Sequence, residues 1–167
     1  LLQSLIKKIH FSNIYKLTVI RIINKNNIFS DETINVTWNE EIIYCSSSSR
    51  SSFESIEGLI EINKNFLSYI KKYNPKLIIV LGDRYELLPI ISQALLSKIP
   101  IAHIEAGLRT DNILEPFPEE GNRRLISSIA DLHFAPTETS FKNLQECGIK
   151  ENVYITGNTV VDSLLYV

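Results

Sequence analysis

The chain has 167 residues, of which 44% are hydrophobic and 22% charged, and it contains no methionine. This composition is that of a globular domain and excludes the disordered, collagen-like and disulfide-rich classes. The net charge of −2 gives no electrostatic footprint for nucleic acid or an anionic membrane, so we predict neither partner. Because a complete translation product normally begins with methionine, we expect a segment of a longer protein.

Cysteine spacing and hydropathy indicate the compartment. Cys45 and Cys147 lie far apart with no metal-ligand spacing around them, which is typical of thiols in a reducing compartment. The apolar beginning of the chain carries Lys7 and Lys8 at the wrong end for a signal peptide. The longest apolar runs fall far short of the roughly 20 residues that cross a bilayer. We therefore predict a cytoplasmic protein.

The first half of the chain predicts two helices and two strands. Apolar residues at helical spacing indicate a helix over residues 1–10, and the β-branched run 16–23 indicates a buried strand. Residues 41–45 are a candidate short strand, and the serine-rich run 45–52 predicts a flexible loop. A long amphipathic helix is predicted from residue 53 to Lys71-Lys72.

The second half alternates regularly between apolar strands and helices. Continuous apolar strands that alternate with helices are typical of a parallel sheet covered on both faces. We therefore predict an α/β fold with a doubly wound, mostly parallel, Rossmann-like sheet. The predicted strands are 76–81, 100–104, 132–134 and 153–156, and the predicted helices are 86–97, 119–130, 137–147 and a last one after Asn158.

Ligands of such sheets bind beyond the carboxyl ends of the strands, and the first polar turn there is Gly82-Asp83-Arg84. Gly82 permits a tight turn, which directs the Asp83 carboxylate towards the cleft. The alternative interpretation is that Asp83 only caps the following helix.

The second polar turn follows the next strand, at 103–110. By the period of two, His103 and Glu105 leave the strand on the same face and could form an acid/base pair. The alternative for His103 is a surface ion pair or a satisfied core histidine. Glu105 closes an apolar strand and so requires a partner or a function. Arg109 is either that partner or a ligand for phosphate.

The third polar turn is Pro118-Glu119-Glu120, followed by Arg123 and Arg124. The proline places both acids in the first turn of a helix, where free N–H groups point outward. The alternative is a purely structural helix start, in which the arginines one turn later pair with those acids. The three turns together suit proton transfer on a phosphate-bearing ligand. The sequence contains no Walker motif, GxGxxG or HExxH.

Four motifs in the second half closely resemble the non-hydrolysing UDP-N-acetylglucosamine 2-epimerases of bacteria. They are HIEAGLRT at 103–110, PEEGNR at 118–123, APTETS at 135–140 and ITGNTVVD at 155–162. The resemblance implies one half of a two-domain fold of the glycosyltransferase-B type. On that basis residues 1–167 are an amino-terminal Rossmann-like domain truncated at both ends, and the carboxyl-terminal nucleotide-binding domain is absent.

The resemblance also implies a reaction that interconverts UDP-GlcNAc and UDP-ManNAc for surface polysaccharide synthesis. UDP leaves first, a base removes the C2 proton to give 2-acetamidoglucal, and UDP adds back after protonation of the opposite face. Carried over by motif, the catalytic candidates are Asp83, Glu105 and Glu119. The implied substrate-binding residues are His103, Arg109, Glu120, Asn122 and Arg123. No metal or redox cofactor is implied, and a homodimer is expected.

One departure leaves the outcome of the reaction open. Gly82-Asp83-Arg84-Tyr85-Glu86 is more similar to the hydrolysing epimerases, which release free ManNAc and UDP, whereas the other motifs are similar to the non-hydrolysing type. A glycosyltransferase of the same architecture is a further alternative. The isolated segment is expected to be catalytically silent, since half of the cleft is absent.

Overall fold

The computed structural model describes residues 3–24, 38–45 and 52–165, and the described residues form two compact units. The first unit holds the described residues up to Ser68 and those from Thr159 onwards, and the second is Tyr69–Asn158. The helices and strands in chain order are α1 Gln3–Phe11, β1 Thr18–Asn24, β2 Asn39–Cys45, α2 Ser52–Tyr73, β3 Ile78–Leu81, α3 Leu88–Leu96, β4 Ile101–Ile104, α4 Glu119–Ile129, β5 Leu132–Ala135, α5 Glu138–Glu146, β6 Val153–Ile155 and α6 Thr159–Leu165.

The first unit contains a parallel pair of strands. β1 and β2 pair in register from Thr18 opposite Asn39 to Asn24 opposite Cys45. Every residue of β1 is half-buried, whereas Ile43 and Cys45 of β2 are buried. The candidate strand 41–45 is thereby confirmed. Most of the predicted serine-rich loop lies outside the described residues.

The second unit is built on a four-stranded parallel sheet in the order β3-β4-β5-β6. All four residues of β4 are buried, because this strand is flanked on both sides and its apolar sequence packs on both faces. An apolar cluster forms where α5 covers the sheet, around Ala106, Ala135 and Leu144. The predicted α/β class and the alternation of parallel strands with helices are confirmed.

The parallel arrangement brings the turns after the strands to one edge of the sheet. Two hydrogen bonds extend the ladder past the strand ends, from the Gly82 N–H to the Ile104 oxygen (3.1 Å) and from the Ala106 N–H to the Phe134 oxygen (3.1 Å). The turn after β3 therefore lies against the turn after β4. Both belong to the second unit, together with the beginning of α4.

Candidate functional site

Asp83 is held from both its backbone and its side chain by α4. Its Oδ2 accepts a hydrogen bond from Arg123 Nε at 2.7 Å, and its backbone oxygen accepts one from Asn122 Nδ2 at 2.8 Å. The alternative that Asp83 caps the next helix is wrong. The helical turn Tyr85–Leu87 has Arg84 as its N-cap and no side-chain capping bond.

Glu105 lies beside the Asp83 turn, but not for the reason that strand periodicity suggested. β4 ends at Ile104, and Glu105 adopts a positive φ of 64°, so the alternation of faces does not extend to it. The expectation that His103 and Glu105 leave one strand together is therefore wrong. A Cβ atom built on Gly82 would lie 3.8 Å from Glu105 Oε2, which puts this carboxylate next to the glycine turn.

His103 is buried, with 1% of its surface exposed. Its Nε2–H donates to the Gly82 oxygen at 2.8 Å, a bond that ties β4 to the turn after β3. Burial lowers its pKa from 6.5 to about 4, and the bond to Gly82 opposes that shift only in part. The imidazole is therefore neutral at neutral pH. The surface ion pair is excluded, and the buried alternative describes the residue.

Arg109 makes no ion pair within the described part of the chain. Its Nη1 donates to the oxygen of Leu108 at 2.8 Å, and its Nε is buried without a partner there. The alternative in which Arg109 pairs with Glu105 is therefore wrong. A buried guanidinium N–H with no acceptor suits an anionic oxygen from a ligand, so phosphate binding stays a prediction.

Glu119 and Glu120 begin α4 and have different surroundings. Glu120 is fully buried and pairs with Arg124 (Nε to Oε1, 2.8 Å) and Arg123 (Nη1 to Oε2, 3.5 Å), as the structural alternative predicted. Burial raises its pKa, but hydrogen bonds from Arg124 and Thr110 outweigh burial and hold the pKa below the usual range. Glu119, in contrast, has a buried Oε2 with no partner among the described residues.

The structure thus brings Asp83, Glu105 and Glu119 to neighbouring turns. Asn122 and Arg123 bond Asp83 to α4, the helix that begins at Glu119. Sequence reasoning missed His133, which lies opposite His103 in the β4-β5 register and is also buried. Burial lowers its pKa, and the nearby Arg109 lowers it further. The available signal in the sequence was a histidine within a short, mainly apolar strand.

No group of three or more potential metal-ligating side chains occurs in residues 3–24, 38–45 and 52–165. In the same residues, no helix is long and apolar enough to cross a membrane.

Comparison with known proteins decides the family. Residues 40–167 match the family model for UDP-N-acetylglucosamine 2-epimerase. The chain belongs to this family. Curated UDP-N-acetylglucosamine 2-epimerases include one from Campylobacter jejuni, 46% identical over 98 residues (58% of this chain and 26% of the relative), and one from Escherichia coli K12, 41% identical over 116 residues (66% and 31%).

The fold of the epimerase family is also that of this chain. The crystal structure of UDP-GlcNAc 2-epimerase from Neisseria meningitidis bound to UDP-GlcNAc superposes with a TM-score of 0.68 at 28% identity. The superposition covers 90% of this chain and 49% of the Neisseria meningitidis chain. The predicted Rossmann-like, glycosyltransferase-B-type fold class is confirmed. The chain spans 26% and 31% of the length of the two curated relatives named above.

Proposed function

We propose that the protein carrying this chain is an enzyme that epimerises UDP-GlcNAc to UDP-ManNAc at C2, by elimination and re-addition of UDP. The observation that carries the proposal is the gathering of Asp83, Glu105 and Glu119 on neighbouring turns at one sheet edge. Inversion at C2 requires proton transfer on both faces of the sugar ring. Clustered carboxylates in unlike surroundings are suited to act as acid and base.

The surroundings of the three acids differ in a way that supports separate roles. Asp83 is bonded to the Arg123 guanidinium, whereas Glu119 has a buried Oε2 with no donor in the described chain. A carboxylate bonded to a guanidinium is held in one orientation, whereas a buried carboxylate oxygen without a donor remains available for a hydrogen bond from a ligand. We assign Asp83 to proton removal, Glu119 to proton delivery and Glu105 to contact with the sugar.

The departing diphosphate requires a cation, and Arg109 is the proposed ligand. Its buried Nε has no acceptor in the described chain, so a phosphate oxygen would satisfy it. His103 and Asn122 are proposed to support the sugar-binding turn through their bonds to Gly82 and Asp83. No cofactor takes part in the proposed reaction.

Three wider proposals accompany the reaction. First, the chain is the amino-terminal domain of the two-domain family fold. Second, the uridine moiety is held largely by the other domain. Third, the enzyme is a cytoplasmic homodimer that supplies surface polysaccharide synthesis. The domain assignment is supported by the family match and by the share of the relatives' length that the chain covers. Analytical ultracentrifugation of the full-length protein tests the dimer.

The reaction is tested by incubating the full-length protein with UDP-GlcNAc in D₂O and following the sugar by NMR. We expect UDP-ManNAc to form and deuterium to enter at C2. Asp83→Asn, Glu105→Gln and Glu119→Gln should each lower kcat by about 100-fold or more. Glu138→Gln is the control, since Glu138 is an exposed first-turn acid of α5. Turnover within a few-fold of wild type in all three variants would refute the assignment.

The hydrolysing reaction is the second candidate, favoured by Arg84-Tyr85 after Asp83. The Arg84 side chain is 74% exposed and bonds Glu86, so it projects from the Asp83 turn to solvent. The same NMR assay separates the two reactions. Free ManNAc and UDP that accumulate irreversibly would identify the hydrolysing type, whereas a mixture of the two UDP-sugars at equilibrium identifies the non-hydrolysing type.

A further inference from the structure

Glu120 is a buried carboxylate for which the proposed chemistry has no use. It lies in the first turn of α4 next to Glu119, yet it is 0% exposed and so presents no oxygen to a ligand. An ionised carboxylate is removed from water only at a free-energy cost, unless hydrogen-bond donors replace the water. The role of Glu120 therefore depends on the groups that donate hydrogen bonds to its carboxylate.

The donors of Glu120 come from two separate segments. The Thr110 N–H donates to Oε2 at 3.1 Å, and Arg124 Nε donates to Oε1 at 2.8 Å. Arg123 Nη1 lies 3.5 Å from Oε2. These bonds keep the pKa of Glu120 below its usual range despite burial, so the carboxylate remains an ionised acceptor at neutral pH.

One of these donors, Arg123, also bonds Asp83, the proposed base. Arg123 uses Nη1 on Glu120 and Nε on Asp83 Oδ2 (2.7 Å), so a single guanidinium joins the two carboxylates. Only 16% of the Arg123 side chain is exposed, which strengthens both contacts relative to surface ion pairs. Arg124 also bonds Glu120, but it is 47% exposed and does not contact Asp83.

We propose that Glu120 is a positioning residue, which fixes the carboxylate of Asp83 through Arg123 without contacting the substrate. Its bond to the Thr110 N–H anchors the same carboxylate to the turn that carries Glu105 and Arg109. The assignment rests on the proposed function, because Asp83 is the base only in that reaction. It gives Glu120 and Arg123 a role different from the substrate contact that the motif resemblance implied.

The test compares two buried glutamates that each bond arginine. Glu120→Gln replaces an acceptor oxygen with an amide that donates, so one of the donors loses its acceptor. The control is Glu86→Gln, since Glu86 is 5% exposed and accepts two bonds from Arg84. In the full-length protein we expect Glu120→Gln to lower kcat by about 10- to 100-fold with KM changed less than about threefold. Glu86→Gln should stay within about threefold of wild type.

A double-mutant cycle separates positioning from a general loss of stability. If Glu120 acts through Asp83, adding Glu120→Gln to Asp83→Asn should lower kcat by less than about threefold. Full additivity of the two changes, or equal losses of kcat and of melting temperature in the Glu120→Gln and Glu86→Gln variants, would overturn the proposal.

A crystal structure of the Glu120→Gln variant tests the same inference without turnover. We expect Arg123 Nε to move beyond 3.5 Å from Asp83 Oδ2 in this variant and to stay in place in Glu86→Gln. An unchanged Arg123–Asp83 bond contradicts the positioning role, whatever the protein catalyses. Absence of epimerisation by the wild-type protein counts against the proposed function alone.

Discussion

Gly107 lies where the turn after β4 passes directly under α5. Its φ is +90°, and a Cβ atom there would be 2.2 Å from the backbone oxygen of Ser140. The Gly107 backbone oxygen accepts a hydrogen bond from Asn143 Nδ2 of α5 at 2.9 Å, which also fixes the turn to this helix. A glycine is required at this point by both conformation and space.

Gly107→Ala is expected to lower the free energy of unfolding by about 2–4 kcal/mol, because the left-handed conformation and the contact with backbone act together. The measurement is the urea midpoint. Gly148→Ala is the matched control, since Gly148 also has a positive φ (+85°) but has nothing within 4 Å of a built Cβ. We expect it to cost only about 1–2 kcal/mol. Equal losses in both variants would contradict the steric argument.

His103 predicts a pH dependence of stability. Its pKa is lowered to about 4 in the folded chain from an ordinary value of 6.5. Between these values the unfolded chain binds the proton and the folded chain does not, so stability falls as the pH falls from 6.5 towards 4. Between pH 7 and pH 5 the expected loss is about 2 kcal/mol.

His103→Gln, which retains an amide donor for the Gly82 oxygen, should flatten this part of the profile. Denaturant unfolding at a series of pH values measures it. A profile as steep as that of wild type would show that His103 is not the group responsible. The burial of His133 lowers its pKa in the same direction, so a smaller slope should persist in the variant.

The candidate acids could be predicted from the sequence, but their bonding could not. Polar residues directly after apolar strands were sufficient to select Asp83 and Glu105. That Arg123 bonds Asp83 across 40 positions depends on how α4 packs, which no local pattern records. The positive φ of Glu105 likewise depends on the turn that the fold imposes.

At the scale of elements, the helices of the second unit begin in different ways. α5 has Thr137 as its N-cap, whose Oγ1 accepts a bond from the Ser140 N–H at 3.1 Å. α4 follows Pro118 and has no side-chain cap, and its first turn instead contains the buried Glu120. The predicted helix 86–97 begins as a short 3-10 turn, and α3 itself begins at Leu88 with a proline in its first turn.

Thr137→Ala should destabilise the protein by about 1 kcal/mol, since the Ser140 N–H loses its acceptor at the end of the helix. Thr137→Ser retains the oxygen and should remain within about 0.5 kcal/mol of wild type. Thermal or urea unfolding of the two variants is the measurement. Equal destabilisation by alanine and serine would mean that the methyl group, not the cap, matters.

Hydrophobic periodicity predicted every element of the second unit to within a few residues. The strands there are short, mainly apolar runs, which the sequence displays without knowledge of the rest of the fold. Their order in the sheet, and therefore which turns are neighbours, depends on long-range pairing that the sequence does not display.

The molecule as a whole divides into two units with different sheets. The four-stranded sheet has a fully buried strand at β4, whereas all seven residues of β1 are half-buried in a two-stranded sheet. Two-stranded sheets are marginally stable unless further packing supports them. The predicted functional residues all belong to the unit with the larger sheet.

Amide hydrogen exchange should reflect this difference. We expect the amides of β4 and β5 to exchange at least about tenfold more slowly than those of β1, because buried ladders open only with the whole unit. Mass spectrometry of peptides after timed exchange in D₂O measures this. Equal protection of β1 and β4 would contradict the expected difference between the units.

The bonds from α4 to Asp83 have a mechanical consequence. The helix carries Glu119 in its first turn and holds Asp83 by two bonds from its second, through Asn122 and Arg123. A rigid displacement of α4 therefore carries both acids in the same direction and preserves the gap between them. In the proposed reaction, in which Asp83 and Glu119 act on the same sugar, the spacing of the two acids is thus preserved when α4 moves.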